Sequence, residues 1–490
     1  MATPPEPALR WEITETRAIL TSLGSNLSLA HMAQRALVLN GFERDDPMGA
    51  RMSALIGKAI EWRGAVAREL LLGDLKLGYC TGCFGCFVRR PGSCLLRDDA
   101  RSVLDLLLGS ECVVLAGRIS FGGYSAALKK IVDRVLPVLL PFFVSVRGEI
   151  HHPARYERLP RIVVVGVPPD APDSADPKEA EIFRTLVGRN AINLHAPSHA
   201  CEIVDASASD EQIAGQLRSA LERSDARAWR AQLQRLMPRP HHTQALKTAS
   251  GTPRRLLVLV GSPKLGPSTS GAVGDYVAER MRGHGWETEK LALKGELRRQ
   301  SGRNKLVAAA ERADSVCLAF PLYVDSLHTL PTLALEILSK ESARWAALAT
   351  KRLLAVANCG FPEAHQNIVA LAICERFASR AGWAWCGGLA VGGGEAVSSG
   401  VPLDAPHRAG MPPAVRLRRA LDLSTDALAA GTDVPDEAQT LLDRSPIPGL
   451  PNLVWRPLYR IMGNRGWREL ARKWKVDPTT LVTRPLEGRT

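Results

Sequence analysis

Short apolar runs recur at matching places in the two halves of this chain, each followed by a loop and then a helical pattern. RALVLNG at 35–41 and RRLLVLVG at 254–261 read as buried first strands, and GAVGDYVAERMRGHG after the second reads as a helix. Later in each half a further strand pattern, ECVVLAGRISFGGY and DSVCLAFPLYVDSL, leads into the helix-like stretches SAALKKIVDRVLP and HTLPTLALEILSK. Registering Leu115-Ala116 on Leu318-Ala319 sets Ser120 opposite Tyr323 and Gly122 opposite Asp325. Third strands follow at 161–167 and 351–360. Strands alternating with helices predict parallel sheets covered on both faces, and the repetition predicts two doubly wound α/β domains in tandem.

Loss of periodicity, with Pro, His, Ser, Thr and Gly, marks a break at about 237–253. The expected organisation is an N-terminal extension (1–34), a first α/β domain with a cysteine cluster (35–225), a basic linker (226–253), a second α/β domain (254–400), and a Pro/Asp-rich segment with a basic tail (401–490). The tail interleaves Trp, Leu and Ile with Arg and Lys. Its apolar side is expected to dock on a domain rather than lie on anionic lipid, because Pro457, Gly463 and Gly466 interrupt a long lipid-facing helix.

Charge changes the picture little. The net +13 resides in two stretches: 226–255 has seven positive and no negative residues, and 452–490 has nine and three. The folded bodies are then near neutral, and nucleic acid is not an expected partner. The N-terminus lacks a signal-peptide pattern, and the longest apolar stretch, VLPVLLPFFVSV, is too short to span a bilayer, so a cytoplasmic protein without a transmembrane segment is expected. In a reducing compartment, close-set cysteines are metal-binding or redox-active more often than bridged.

YCTGCFGCFVRRPGSC supplies four such cysteines. Cys80, Cys83, Cys86 and Cys94 are spaced C-x2-C-x2-C-x7-C, and Gly82 and Gly85 let the chain turn tightly between them. Three thiolates in series with a fourth nearby suit a [4Fe–4S] cluster; zinc and free thiols remain alternatives. In the second half GSPKLGPSTSG follows a strand and opens a helix. Its Ser262, Ser268, Thr269 and Ser270 hydroxyls, with Lys264, are suited to a phosphate. The loops FPLYVDSL and NCGFPEAHQN follow the next two strands and reach the same sheet edge, where ligands of open α/β sheets bind. There Pro321, Leu322, Tyr323, Asn358, Gly360 and Phe361 offer aromatic faces and hydrogen bonds to a planar ring. In the first half Phe121, Gly122, Gly123 and Tyr124 are the matching candidates, but the loop GFERDDPMGARM places Glu43, Asp45 and Asp46 where a phosphate would sit. His151 and His152 are expected in a surface or interface loop, with proton donation as the alternative.

GSPKLGPSTS, PLYVDSL, CGFPEAHQN and AGWAWCGGLAVGGGEA resemble the NAD(P)H-dependent FMN reductase group of the flavodoxin-like superfamily. The cysteine segment, SFGGYSAALKKIVDR and GEIHHPARYERLP resemble its iron–sulfur flavoprotein branch. The resemblance implies FMN at the strand ends of the second half, a [4Fe–4S] cluster on the first, and NAD(P)H as electron donor. A small-molecule electron acceptor or a redox partner protein would receive the electrons. An electron carrier without its own substrate, or a redox- or metal-sensing binding protein, are the other expectations. Fusion of two halves allows an internal pair, so a monomer or a homodimer is expected.

Overall fold

A computed structural model describes residues 34–169, 176–240, 254–346, 351–406, 414–447 and 449–486. Residues 1–33 of the expected N-terminal extension and residues 241–253 of the expected linker lie outside them.

In the first half the strands are β1 (Arg35–Asn40), β2 (Val66–Leu71), β3 (Cys112–Ser120), β4 (Gly123–Tyr124), β5 (Val144–Val146), β6 (Glu149–His151), β7 (Arg161–Val167) and β8 (His199–Ile203). The second half has β9 (Arg255–Val260), β10 (Glu287–Ala292), β11 (Ser315–Tyr323), β12 (Ser326–Leu327), β13 (Arg352–Asn358) and β14 (Ala384–Val391). Parallel strands run β2-β1-β3-β7-β8 in one sheet and β10-β9-β11-β13-β14 in the other; β4 and β12 each fold back antiparallel on β3 and β11. The parallel order 2-1-3-4-5 is that of flavodoxin-like folds, whose crevice opens between the first and third strands. Two doubly wound domains in tandem are therefore present.

The central strands β7 and β13 are buried along nearly their whole length, as parallel strands covered on both faces must be. Edge strands β2 and β10, VARELL and ETEKLA, carry charged residues within the strand and are half exposed. The expected boundary at 400 falls inside packed structure. Leu417, Leu421 and Leu428 of helix Val415–Ala430 share one core with Leu256 and Val258 of β9, so part of the 401–490 segment covers the second sheet. Within the expected linker, helix Arg230–Leu236 buries Leu233 and Leu236.

The internal repeat extends to the turns. β3 ends in a hairpin with positive φ at Phe121 (55°) and Gly122 (81°), and β11 in one with Val324 (44°) and Asp325 (59°). Helices Ala126–Val132 and Thr329–Ser339 start just after them, capped by Ser125 and His328. These two helices cap each other across the domain seam. Asp133 Oδ2 accepts from Thr329 N at 2.8 Å and Thr329 Oγ1 at 2.6 Å, while Glu336 Oε1 accepts from Ala126 N at 2.8 Å and Ser120 Oγ at 2.7 Å. Asp133 and Glu336 hold equivalent places in the repeat, as do Ala126 and Thr329. The halves thus meet about a pseudo-twofold axis, in the manner of an isologous dimer. Each carboxylate also stabilises the positive end of the helix it caps.

The tail forms one continuous helix, Asn452–Lys473, despite Pro457. Pro457 is the sixth residue of the helix and forgoes the bond an N–H there would make to Leu453 O, yet the packing of Trp455 and Tyr459 on either side of it carries the helix through, so the expected interruption does not arise. The expected docking does: Trp455 and Tyr459 pack on Phe143 and Ile150, and Trp467 sits edge-on to Phe84 and Phe87. Farther on, the buried Arg155 guanidinium donates to Leu481 O and Thr483 O, both at 2.8 Å.

Candidate functional site

The cysteine loop springs from the carboxyl edge of the first sheet and lies on the second domain. Its base is held by Arg134, which donates to both oxygens of Asp98 at 2.8 Å, to Gly78 O at 2.7 Å and to Cys94 Sγ at 3.3 Å. Burial opposes the Arg134 charge, but its bonds to Asp98 and the neighbouring Cys94 raise its pKa on balance. From the second domain His328 Nε2 meets Cys80 O at 3.0 Å, while its Nδ1 accepts from Leu330 N at 3.1 Å. Those two bonds fix the neutral tautomer with the proton on Nε2, and burial lowers the His328 pKa.

Cys86 is buried, Cys80 and Cys94 are half-buried, and Cys83 is exposed. Burial pushes the Cys80 thiol up to about 12, and burial with the neighbouring Cys80, Cys94 and Cys83 raises Cys86 further. The four sulfurs thus share one neighbourhood. Among the described residues no group of three or more His, Cys, Asp or Glu is drawn close enough to hold a single metal ion. Four bonds of 2.3 Å to one zinc would need sulfurs ~3.8 Å apart. Gly85 N donates to Cys83 Sγ at 3.4 Å.

Gly82 is where the loop meets the second domain. With φ of 60°, it lies so close that a Cβ there would stand 2.4 Å from the Tyr323 hydroxyl and 3.4 Å from both Pro263 Cγ and Lys264 Cγ. Gly82→Ala adds that clash to the roughly 1–2 kcal/mol cost of a left-handed alanine. The loop is expected to lift, and labelling of Cys80 and Cys86 in chelator-treated protein should accelerate. Unchanged labelling would show that this contact does not seat the loop.

Beneath the loop lies a dry charge cluster. Lys129 and Asp133 form an ion pair with both side chains at most 1% exposed, and Lys129 Nζ also donates to Tyr323 O at 2.8 Å. Next to it, Asn190 Nδ2 donates to Val324 O (3.1 Å) and Asp325 Oδ2 (2.9 Å), and Asn193 Nδ2 to Asp325 Oδ1 (2.7 Å). First-domain side chains thereby hold a β-branched residue at positive φ, a costly conformation that persists only when its surroundings enforce it.

The second-half candidates converge at one sheet edge. Ser268 Oγ caps helix Thr269–Gly283 by accepting from Gly271 N at 3.1 Å, and Ser262 Oγ accepts from Lys264 N at 3.3 Å. Thr269 Oγ1 donates to Gly394 O at 3.0 Å, and Asn358 Nδ2 to Ser270 Oγ and Phe320 O, both at 2.9 Å. Ser262, Lys264 and Ser268 line an open cleft of about 1280 Å³. Pro321 and Leu322 belong to β11, with Leu322 paired to β12. Tyr323 is covered by Gly82, Phe361 packs on Phe143 and His152, and Gly360 O accepts from the Tyr459 hydroxyl.

The first-half candidates are packed against neighbouring side chains. Phe121 lines a cleft of about 1050 Å³ but stacks edge-on to Phe377, and the Tyr124 hydroxyl donates to Asn190 Oδ1 at 2.8 Å. Gly122 abuts Ile182, and Gly123 abuts Ile373. Where a phosphate would sit, Asp46 caps helix Pro47–Trp62 and is held by Arg118 at 2.7 and 2.9 Å, which keeps its carboxyl below the usual range. The helix start carries its own anion and counter-ion.

Several groups escaped the sequence reading. Lys129, Asp133, Arg134 and His328 read only as helix or turn residues, and nothing in one chain signals that they meet. Glu363, beside Phe361, is buried and accepts from Ile150 N at 3.2 Å, with the Arg456 guanidinium at 3.8 Å. Burial outweighs Arg456 and lifts the Glu363 carboxyl to about 7. A folded pKa above the unfolded one means the folded chain holds a proton that the unfolded chain has released. From about pH 4.5 to 7 Glu363 therefore subtracts about 3 kcal/mol of stability. Buried His152 and His328, held neutral, add stability as pH rises through the same range, so the Glu363 contribution is read as a difference: the urea midpoint of Glu363→Gln should gain on that of the wild type from about pH 4.5 to 7. An identical pH slope in the variant would refute this.

His151 and His152 lie in the interface. His151 bonds Asn193 Oδ1 (2.7 Å) and Glu149 (3.2 Å), and burial lowers His152 to about 4. Glu149, which burial alone would raise, is held low by His151, His365 and Arg189. Cys359 is buried, with its thiol pushed up to about 12 by burial.

Two curated relatives match this chain. An iron–sulfur flavoprotein of Archaeoglobus fulgidus is 29% identical over 103 residues, which span 21% of this chain and 46% of the relative. Iron–sulfur flavoprotein MJ1083 of Methanocaldococcus jannaschii is 32% identical over 84 residues, 17% of this chain and 42% of the relative. The chain thus spans less than half the length of either. No protein-family model matches. Solved structures with similar folds include the Trp repressor binding protein of Bacillus subtilis, at 10% identity and TM-score 0.25 over 34% of this chain and 96% of that one. Another is an FMN-dependent NADH-azoreductase of Bacillus anthracis, at 10% identity and TM-score 0.26 over 36% and 100%. At such scores they add nothing to the strand order. Over the aligned segments, the chain is similar to iron–sulfur flavoproteins.

Proposed function

We propose that this protein is a flavin-dependent oxidoreductase in which FMN at the second domain's sheet edge works with a [4Fe–4S] cluster held by Cys80, Cys83, Cys86 and Cys94. The observation that carries the reading is the seating of Gly82 on Pro263, Lys264 and Tyr323. That seating sets the cysteine loop of one domain against the proposed phosphate and aromatic loops of the other, and electron exchange needs such proximity.

The residues present fit both groups. For the cluster there are four cysteines on one short loop, with Cys86 the neighbour of the other three, N–H···S bonds from Gly85 and Arg134, and apolar Phe84, Phe87 and Trp467 packed together beside them. N–H donors to sulfur and an apolar wall are the means by which proteins set a cluster's potential. For FMN, Ser262 and Ser268 place hydroxyls at the start of a 15-residue helix, with Lys264 beside them. Lys264 is paired with Glu395 at 3.0 Å, and a phosphate would compete with that carboxylate for it. FMN, when bound, supplies the step between two-electron and one-electron chemistry. The hydroxyls of Ser262 and Ser268 with Lys264 would hold its phosphate, and the chain holds a proton at Glu363. NAD(P)H is the proposed donor, and a small acceptor or a redox protein the recipient.

The test is an anaerobic absorption spectrum with iron, labile sulfide and heat-released flavin assayed together. Flavin bands with about four irons per chain are expected. Flavin without iron would leave a simple reductase, and neither chromophore after reconstitution would overturn the reading. The exposure of Cys83 favours a second reading, an electron carrier that serves a partner protein at the cluster. Fast one-electron exchange with slow NAD(P)H turnover would select it.

A further inference from the structure

We propose that the outer face of the tail helix Asn452–Lys473 docks the protein on an anionic phospholipid surface. Its inner face is committed to the domains through Trp455, Tyr459 and Ala471. The outer face is left to solvent and is divided along its length. In its first half the exposed positions are all apolar: Leu453 (86% exposed), Val454 (51%), Leu458 (38%), Ile461 (48%) and Met462 (42%), with Pro457 among them. In its second half Arg465, Arg468, Arg472 and Lys473 are exposed, with Glu469 the one acid. Among the described residues none of these four cations is ion-paired to an acid; Arg468 lies over the Phe142 ring.

Large apolar side chains clustered on a helix that is already docked on its other side serve neither fold nor solubility. An apolar face continuous with a basic one is the complement of an anionic bilayer: side chains enter the acyl boundary while cations meet headgroup phosphates. A second copy of this chain is the poorer occupant, because it would set arginine-rich helix against arginine-rich helix. No helix among the described residues is long and apolar enough to cross a membrane, so the contact is peripheral. The proposal does not depend on the redox reading.

The test is co-sedimentation of the full chain with vesicles of phosphatidylcholine alone and of phosphatidylcholine mixed with phosphatidylglycerol. Binding to the mixed vesicles only is expected, largely lost in about 0.5 M salt, where screening is short-ranged. Arg465→Gln, Arg468→Gln and Arg472→Gln should each weaken it about fivefold. Leu458→Glu with Ile461→Glu should abolish it while leaving the circular dichroism spectrum unchanged. No binding to either vesicle would overturn the proposal, as would binding indifferent to phosphatidylglycerol and salt. A concentration-dependent dimer broken by the Leu458/Ile461 variant would overturn it in favour of self-association. The salt series on the wild type needs no variant, so misfolding cannot mask the answer.

Discussion

Asp133→Ala is expected to destabilise the folded chain by about 3–5 kcal/mol, the cost of removing one partner of a buried ion pair. Lys129 would be left as an ammonium in a site where both side chains are at most 1% exposed. Helix Thr329–Ser339 would lose the acceptor of its Thr329 N–H and hydroxyl. Denaturant unfolding should show a large fall in midpoint, and Asp133→Asn a smaller one because the amide oxygen still accepts from Thr329. Removing both charges together, with Lys129→Met and Asp133→Leu, should cost much less than Asp133→Ala alone. A loss under about 1 kcal/mol for Asp133→Ala would show that water reaches Lys129 and that the seam is not dry.

The second large effect is chemical. Cys86→Ser should reduce bound iron from about four per chain to nearly none, because a hydroxyl is a poor substitute for the thiolate that a [4Fe–4S] cluster takes. Cys86 is the buried member of the set and neighbours the other three. Flavin content should hold, since Cys86 belongs to the first domain and the 262–270 loop to the second. The paired assay of iron and heat-released flavin reads both. Iron retained in Cys86→Ser would mean that the four cysteines do not hold it, and loss of flavin along with iron would mean that the cysteine loop shapes the flavin site.

The division between what was legible and what was not follows from the range of the forces involved. Strands β1, β3, β7, β9, β11 and β13 announce themselves because a parallel strand buried on both faces must be apolar throughout, and the helices after them keep a 3.6-residue pattern. Strands β2 and β10 do not, since an edge strand with one wet side tolerates VARELL and ETEKLA. The continuous tail helix is not legible because what holds it through Pro457, the packing of Trp455 and Tyr459 on Phe143 and Ile150, joins residues some three hundred positions apart.

The amino-acid sequence by itself determined the two-domain α/β repeat, the hydroxyl-bearing loop of the second half, the acidic loop of the first, and the spacing of the four cysteines, since each depends on residues near one another in the chain. Only the tertiary structure decided that Asp133 and Glu336 exchange caps across the seam, that Asp46 and Arg118 occupy the first domain's anion position, and that Gly82 rests on Tyr323. These pair residues tens to hundreds of positions apart, and burial makes the pairing matter: in a dry seam every charge must find a partner, wherever in the chain that partner lies.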